Sequence, residues 1–118
     1  MNEPLPPRPA KELAERRRAL APDAEAAFRA FGQVVFRDGA LPRKTKELIA
    51  VAVAHVTQCP YCIRGHTRAA ARHGASAEEI MEAVWVASEM RAGAAFAHST
   101  IAREALGDAG AQAPPDRG

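Results

Sequence analysis

Sulfur, aromatic rings and long apolar runs are all scarce in this chain. Two cysteines, one tryptophan, one tyrosine and four phenylalanines occur in 118 residues. No stretch approaches the roughly 20 apolar residues of a membrane-spanning helix, and the opening MNEPLPPRPA lacks the apolar run of a secretory leader. These absences predict a cytoplasmic protein with no membrane association. The net charge is only +2, and basic residues alternate with acidic ones, which argues against a nucleic-acid partner. The densest basic cluster, Arg16-Arg17-Arg18, neighbours Glu12 and Glu15 and reads as a solvated helix face. In a reducing compartment, two cysteines point to catalysis, redox sensing or metal binding before they point to a structural staple.

What the chain does have is alanine and helical periodicity. A core of Ala, Val and Leu lets helices approach closely, but each residue buries little area. Such a core predicts a partner subunit. Residues 1–9 hold four of the nine prolines and read as a flexible arm; residues 108–118 read as a flexible tail, leaving 10–107 as a single helical domain. A first helix is expected over 10–20. A second starts at Pro22-Asp23, carries Ala27, Phe28, Phe31, Val34 and Val35 at helical spacing, and stops at Asp38-Gly39. Pro42 opens a third, apolar nearly all round from Leu48 to Val56 and therefore expected to be central and buried. Pro60 starts a fourth that ends at Gly74. Ser76-Ala77-Glu78-Glu79 is a capping box for a fifth, with Ile80, Val84, Ala87 and Trp85 as its inner stripe and Met81 and Met90 as core fillers. A bend near Gly93 leads to a sixth, ending near Gly107. The expected class is all-α with about six helices.

The chemistry concentrates in Cys59-Pro60-Tyr61-Cys62, followed by His66. With Pro60 as first helical residue, Cys59 falls at the N-cap and Cys62 in the first turn. Unsatisfied backbone N–H groups and the positive end of the helix dipole stabilise a thiolate there, lowering a cysteine pKa from about 8.5 towards neutrality. Cysteines three apart at a helix start also suit an intramolecular disulfide. His66, one turn beyond Cys62, is placed to take its proton or to stabilise its thiolate. Three rival readings stand beside this one. The thiols are a buried structural pair; or Cys59, Cys62 and His66 bind zinc, with His55 or His98 as fourth ligand; or the tetrapeptide belongs to a glutaredoxin-like domain, although the strands such a domain needs are not visible around it.

The pattern Glu47-x11-Cys59-x2-Cys62-x3-His66 resembles the active-site motif of the AhpD-like alkylhydroperoxidases, in the carboxymuconolactone decarboxylase superfamily. The likeness runs from about Leu41 to Gly107 and includes LIAVAVAHVTQCPYCIRGHTRAAARHGASAEEIMEAVWVASEMRAGAAFAH. It implies an all-α fold that associates into trimers or hexamers. The implied activity is reduction of a small hydroperoxide by the dithiol, with recharging by an external dithiol donor such as a lipoylated protein or thioredoxin. By position it makes Cys62 the peroxidatic cysteine, Cys59 the resolving one, and His66 with Glu47 the proton relay; no metal and no cofactor beyond the Cys59–Cys62 disulfide are implied. Two departures stand out: peroxidase members often have histidine where this chain has Tyr61, and they often carry two helical cores where this chain has room for one. Tyr61 is therefore expected to orient or shield the site, and His55, four residues before Cys59, to serve either as an accessory or as a hydrogen-bonded core histidine. The residue-level alternative for Glu47 is a carboxylate favoured by a helix N-terminus. His98 reads as structural, and His73 as a helix-end cation. In a simple hairpin cornered near Cys59, Glu47 lies about a turn deeper than His66, so their contact would require the third helix to end early or bend.

Overall fold

Residues 11–111 are described by a computed structural model, with side chains described through residue 107. The proline-rich arm, residues 1–9, lies outside the described residues; of the expected tail 108–118, residues 108–111 belong to the last helix and those from 112 onward lie outside the described residues. Six helices follow one another: α1 (Lys11–Leu20), α2 (Pro22–Phe36), α3 (Arg43–Thr57), α4 (Pro60–Arg72), α5 (Ala77–Ala97) and α6 (Ser99–Ala111). The fold is all-α, with no strand among the described residues.

The helix ends explain the corners. Gln58 closes α3 in the left-handed conformation (φ 59°, ψ 47°), its N–H and that of Cys59 both reaching Ala54 O. Cys59 then serves directly as N-cap of α4, with Pro60 in the first turn. Two residues thus separate a helix end from a helix start, which brings α3 and α4 together as neighbours. At the far end of α4, Gly74 takes φ 96°, and its N–H and that of Ala75 bond Ala71 O and Ala70 O, a Schellman closure. The Ser76 box forms as expected: Glu79 N–H donates to Ser76 Oγ at 3.0 Å and Ser76 N–H to Glu79 Oε1 at 2.9 Å. The other Glu79 oxygen meets Lys44 Nζ at 2.9 Å, tying the start of α5 to that of α3. Arg17 stays exposed and Arg18 partly so, as expected of a solvated face, and both reach Glu25 of α2 (3.6 and 3.2 Å).

α3 packs against α4 and α5, and the buried apolar residues come from these three helices: Val51 and Ala54, Ala69 and Ala70, and Ala87. Their small size permits close approach but gives a thin core. The expected burial of α3 holds for one face only, since Ile49, Val53 and Val56 are exposed. The α2 stripe is exposed as well, Phe28 and Phe31 included. On α5 the inner stripe is narrower than expected: Ala87 is buried and Ile80 and Val84 half-buried, but Trp85 is 68% exposed, and Met81 and Met90 are exposed instead of filling a core. α5 packs chiefly on α3, and its outer apolar stripe is left uncovered among the described residues. The bend near Gly93 is also absent. α5 continues to Ala97 and the break falls at His98, because one glycine costs a helix only about 1 kcal/mol when its neighbours are good helix formers. α6 is interrupted at Gly107 (φ 51°, ψ −132°).

The surface exposed is 9370 Å² and the radius of gyration 21.0 Å. A folded monomer of this mass ordinarily exposes about 6200 Å², and one of this length has a radius near 13 Å. The surface left in water includes large apolar side chains, Phe28, Phe31, Trp85 and Met90 among them.

Candidate functional site at the start of α4

The local sequence builds this site at the α3–α4 corner. Cys59 and Cys62 are joined by a disulfide with their Cα atoms 5.2 Å apart. Cys59 Sγ also accepts the Cys62 backbone N–H at 3.2 Å, so the N-cap sulfur meets one of the orphan donors of the helix start. Cys62 and His66 line one cavity of about 440 Å³, whose walls include Phe36, Ile49, Ala50 and Val53 and whose rim carries Lys46. A mostly apolar cavity with a sulfur and an imidazole in its wall suits a small organic molecule with a reactive polar group.

Glu47 completes the set. It is 1% exposed, and its Oε1 accepts a hydrogen bond from His66 Nδ1 at 2.6 Å. A carboxylate on Nδ1 assigns the proton to that nitrogen, leaving Nε2 of the neutral ring as the basic atom. The contact forms with α3 unbroken to Thr57, so no early end or bend is needed. A count of rise along parallel axes omits the crossing of the helices and the reach of the two side chains. Burial pushes the Glu47 carboxyl up, but hydrogen bonds from His66 and Arg43, with the charges behind them, outweigh it and hold the group below its ordinary value.

The residues singled out by sequence thus divide. Cys59, Cys62, His66 and Glu47 come together. Tyr61 lies exposed in the first turn of α4. Of the two readings of His55 the hydrogen-bonded one matches the geometry: its Nδ1–H donates to Val51 O of its own helix at 2.8 Å, and it does not line the shared cavity. His73 closes α4, donating to Ala69 O at 2.9 Å, and His98 sits exposed at the C-cap of α5. No cluster of three His, Cys, Asp or Glu side chains suited to a metal occurs among the described residues.

Two residues were missed. Arg43 donates from Nε to Glu47 Oε2 at 2.9 Å, and Phe36 stacks on the His66 ring with centroids 5.0 Å apart and planes 22° apart. The i,i+4 spacing of Arg43 and Glu47 was a signal for the first. Nothing local marked Phe36, which the α2–α3 corner delivers: Lys46 Nζ donates to Val35 O and Arg37 O at the end of α2 (2.8 and 2.7 Å), and Asp38 accepts the Arg43 N–H at the start of α3 (2.6 Å).

A profile of the carboxymuconolactone decarboxylase family matches residues 22–105. A protein of Paracoccus denitrificans, described as "uncharacterized protein 4 in cox locus", is 58% identical over 100 residues, covering 85% of this chain and 89% of its own. Among solved structures, an apo carboxymuconolactone decarboxylase family protein from Legionella pneumophila is 34% identical, with TM-score 0.63 over 82% of this chain and 87% of its own. A member of the same family from Thermotoga maritima, described in connection with the antioxidative response, is 31% identical, with TM-score 0.52 over 71% of this chain and 96% of its own. The family match spans α2 to α6 and takes in all four residues of the site: this chain belongs to the carboxymuconolactone decarboxylase family.

Proposed function

We propose that this protein is an AhpD-like, thiol-dependent peroxidase of the cytoplasm that reduces small hydroperoxides through Cys59 and Cys62. The observation that carries the reading is the Glu47–His66 hydrogen bond, made by the imidazole that shares a cavity with Cys62. In the reduced protein, His66 takes the Cys62 proton and the thiolate attacks the terminal peroxide oxygen. An S–O bond forms, the O–O bond breaks, and the alcohol leaves with the proton returned by His66. Cys62 is then a sulfenic acid. The Cys59 thiol attacks its sulfur, the disulfide forms and water departs. A dithiol donor, such as a lipoylated protein or thioredoxin, supplies the two electrons and two protons that restore the thiols. The disulfide is itself the redox group, and no metal or further cofactor is called for. The relative described in connection with the antioxidative response supports the same reading.

The exposed apolar faces of α2, α3 and α5 support a homo-oligomer, a trimer or hexamer, as the working form. A second reading rests on Tyr61, which stands between the cysteines where peroxidase members often have histidine. A phenol with pKa near 10 relays protons poorly at neutral pH. On that reading the dithiol serves disulfide exchange or non-catalytic redox sensing.

Stopped-flow mixing of the reduced protein with a panel of hydroperoxides, followed by turnover with dithiol donors, tests the proposal. Cys62→Ser is expected to abolish the fast step and Cys59→Ser to leave a trappable sulfenic acid. Consumption of peroxide by both variants at the wild-type rate sinks the peroxidase reading. A disulfide that forms under oxidant but never turns over favours the sensor.

A further inference from the structure

Arg43 and Phe36 have no part in the steps above, yet both are bound into the pair that does. Glu47 presents one oxygen to each of two donors: His66 Nδ1 on Oε1 at 2.6 Å and Arg43 Nε on Oε2 at 2.9 Å. The Arg43 guanidinium also lies over the Phe36 ring, 5.9 Å from its centroid, and that ring stacks on His66. Four side chains from α2, α3 and α4 therefore close a loop, running Arg43, Glu47, His66, Phe36 and back to Arg43.

The electrostatic consequence follows from the sign of each group. A buried carboxylate facing an imidazole favours the imidazolium, because an opposite charge within about 4–6 Å stabilises the charged form. Imidazolium is the wrong state for a group that must accept a proton from a thiol. A cation on the second carboxylate oxygen acts the other way: it meets part of the Glu47 charge and repels a proton on the ring. Guanidinium does this at every working pH, since it does not deprotonate in proteins. The other charged groups around His66 leave this role to Arg43. On α3 Lys46 is a second cation lining the cavity, held by the Val35 and Arg37 carbonyls, whereas Arg43 bonds Glu47 itself. α4 brings Cys62, α2 the uncharged Phe36, and α5 contributes no residue to the lining of the shared cavity.

We propose that Arg43 is a positioning residue of this site. By holding the second oxygen of Glu47 it keeps the carboxylate on His66 Nδ1 and offsets its pull, so that the imidazole is available to take the Cys62 proton. Only that last step rests on the peroxidase reading; the balance of charge does not.

The test is the titration of His66, followed by NMR in the full-length oxidised protein, where the disulfide-bonded cysteines do not titrate. His66 is assigned by loss of its signal in His66→Asn. In Arg43→Gln its midpoint is expected to rise relative to wild type, because the cation on the second Glu47 oxygen is gone. Arg43→Lys, which retains the charge, is expected to restore at least half of the shift. Arg43→Met, which retains an apolar stem against Phe36, provides the same readout should the Gln variant fold poorly. Midpoints within about 0.2 units of wild type in the neutral variants would overturn the proposal. If the midpoint moves as expected while wild type consumes no hydroperoxide with any dithiol donor, the role of Arg43 stands and the peroxidase reading falls.

Discussion

Glu47 and His66, nineteen residues apart in the chain, meet at 2.6 Å with the carboxylate almost wholly withdrawn from water. The bond ties the first turns of α3 to α4 and fixes the orientation of the ring beside Cys62. It is at once a structural link and the basis for the proposed proton relay, and replacement of Glu47 reads out both.

Glu47→Gln is expected to cost about 1–3 kcal/mol at neutral pH, because the amide NH₂ faces donors on at least one side and Arg43 loses its ionic partner. The sign of the pH dependence follows from the depressed carboxyl. Glu47 contributes stability that is fully present above its ordinary value of 4.5 and is lost as pH falls through the lower folded value. Urea midpoints of wild type and Glu47→Gln should therefore differ most near neutral pH and converge as pH falls below 4.5 and through the lower folded value. Glu25 and Glu79 are also held low, but both proteins carry them and they cancel in the difference. Parallel acid responses of the two proteins would exclude an ionised, bonded Glu47.

Gln58 occupies in α3 the left-handed position that Gly74 occupies in α4. A side chain in that conformation costs roughly 1 kcal/mol relative to glycine. Gln58→Gly is expected to stabilise the protein by about 0.5–1 kcal/mol, and Gln58→Val to destabilise it by at least about as much. Chemical denaturation of the oxidised forms measures both. A destabilised Gly variant would mean that the Gln58 side chain holds the corner by some other contact.

Ser76→Ala removes the oxygen that accepts the Glu79 N–H and leaves the bridge from Glu79 to Lys44 in place. The expected loss is about 1 kcal/mol, the usual worth of an N-cap. That corresponds to a fall in Tm of roughly 4–8 °C for a domain of this size. Thermal unfolding followed by circular dichroism would show it, and an unchanged Tm would mean that the start of α5 carries no share of the stability.

Sedimentation at micromolar concentration is expected to give a mass several times 12.6 kDa, since the isolated chain exposes Phe28, Phe31, Trp85 and Met90 together with the outer face of α3. Trp85→Glu is expected to shift the distribution towards smaller species while the far-ultraviolet spectrum stays helical. A strictly monomeric wild-type protein would contradict the oligomer and would require another cover for those faces.

Much of this architecture was readable from local signals. Pro22, Pro42 and Pro60, the Ser76 box and Gly74 each act within a few residues of themselves, and each marks a helix end close to where it is found. The dithiol at the start of α4 was readable for the same reason: Cys59 as N-cap and Pro60 in the first turn are properties of four consecutive residues. Burial was read less well. Trp85, Met81 and Met90 were expected inside because their spacing suits a helix face, but spacing does not say whether another helix lies against that face. Gly93 was read as a bend because glycine weakens helices, whereas the α5 residues around it carry the helix through.

By itself, then, the sequence determined an all-helical class, the helix ends marked by proline, glycine or a capping box, and a cysteine pair at a helix N-terminus with a histidine one turn on. These are short-range consequences of propensity, capping and backbone geometry. Only the tertiary structure decided which carboxylate oxygen meets His66, that Arg43 takes the other, that Phe36 closes over the ring and that His55 turns back into its own helix. Those pairings depend on how α2, α3 and α4 cross one another. That crossing is set by side chains packed across helices, and no periodicity along one chain encodes it.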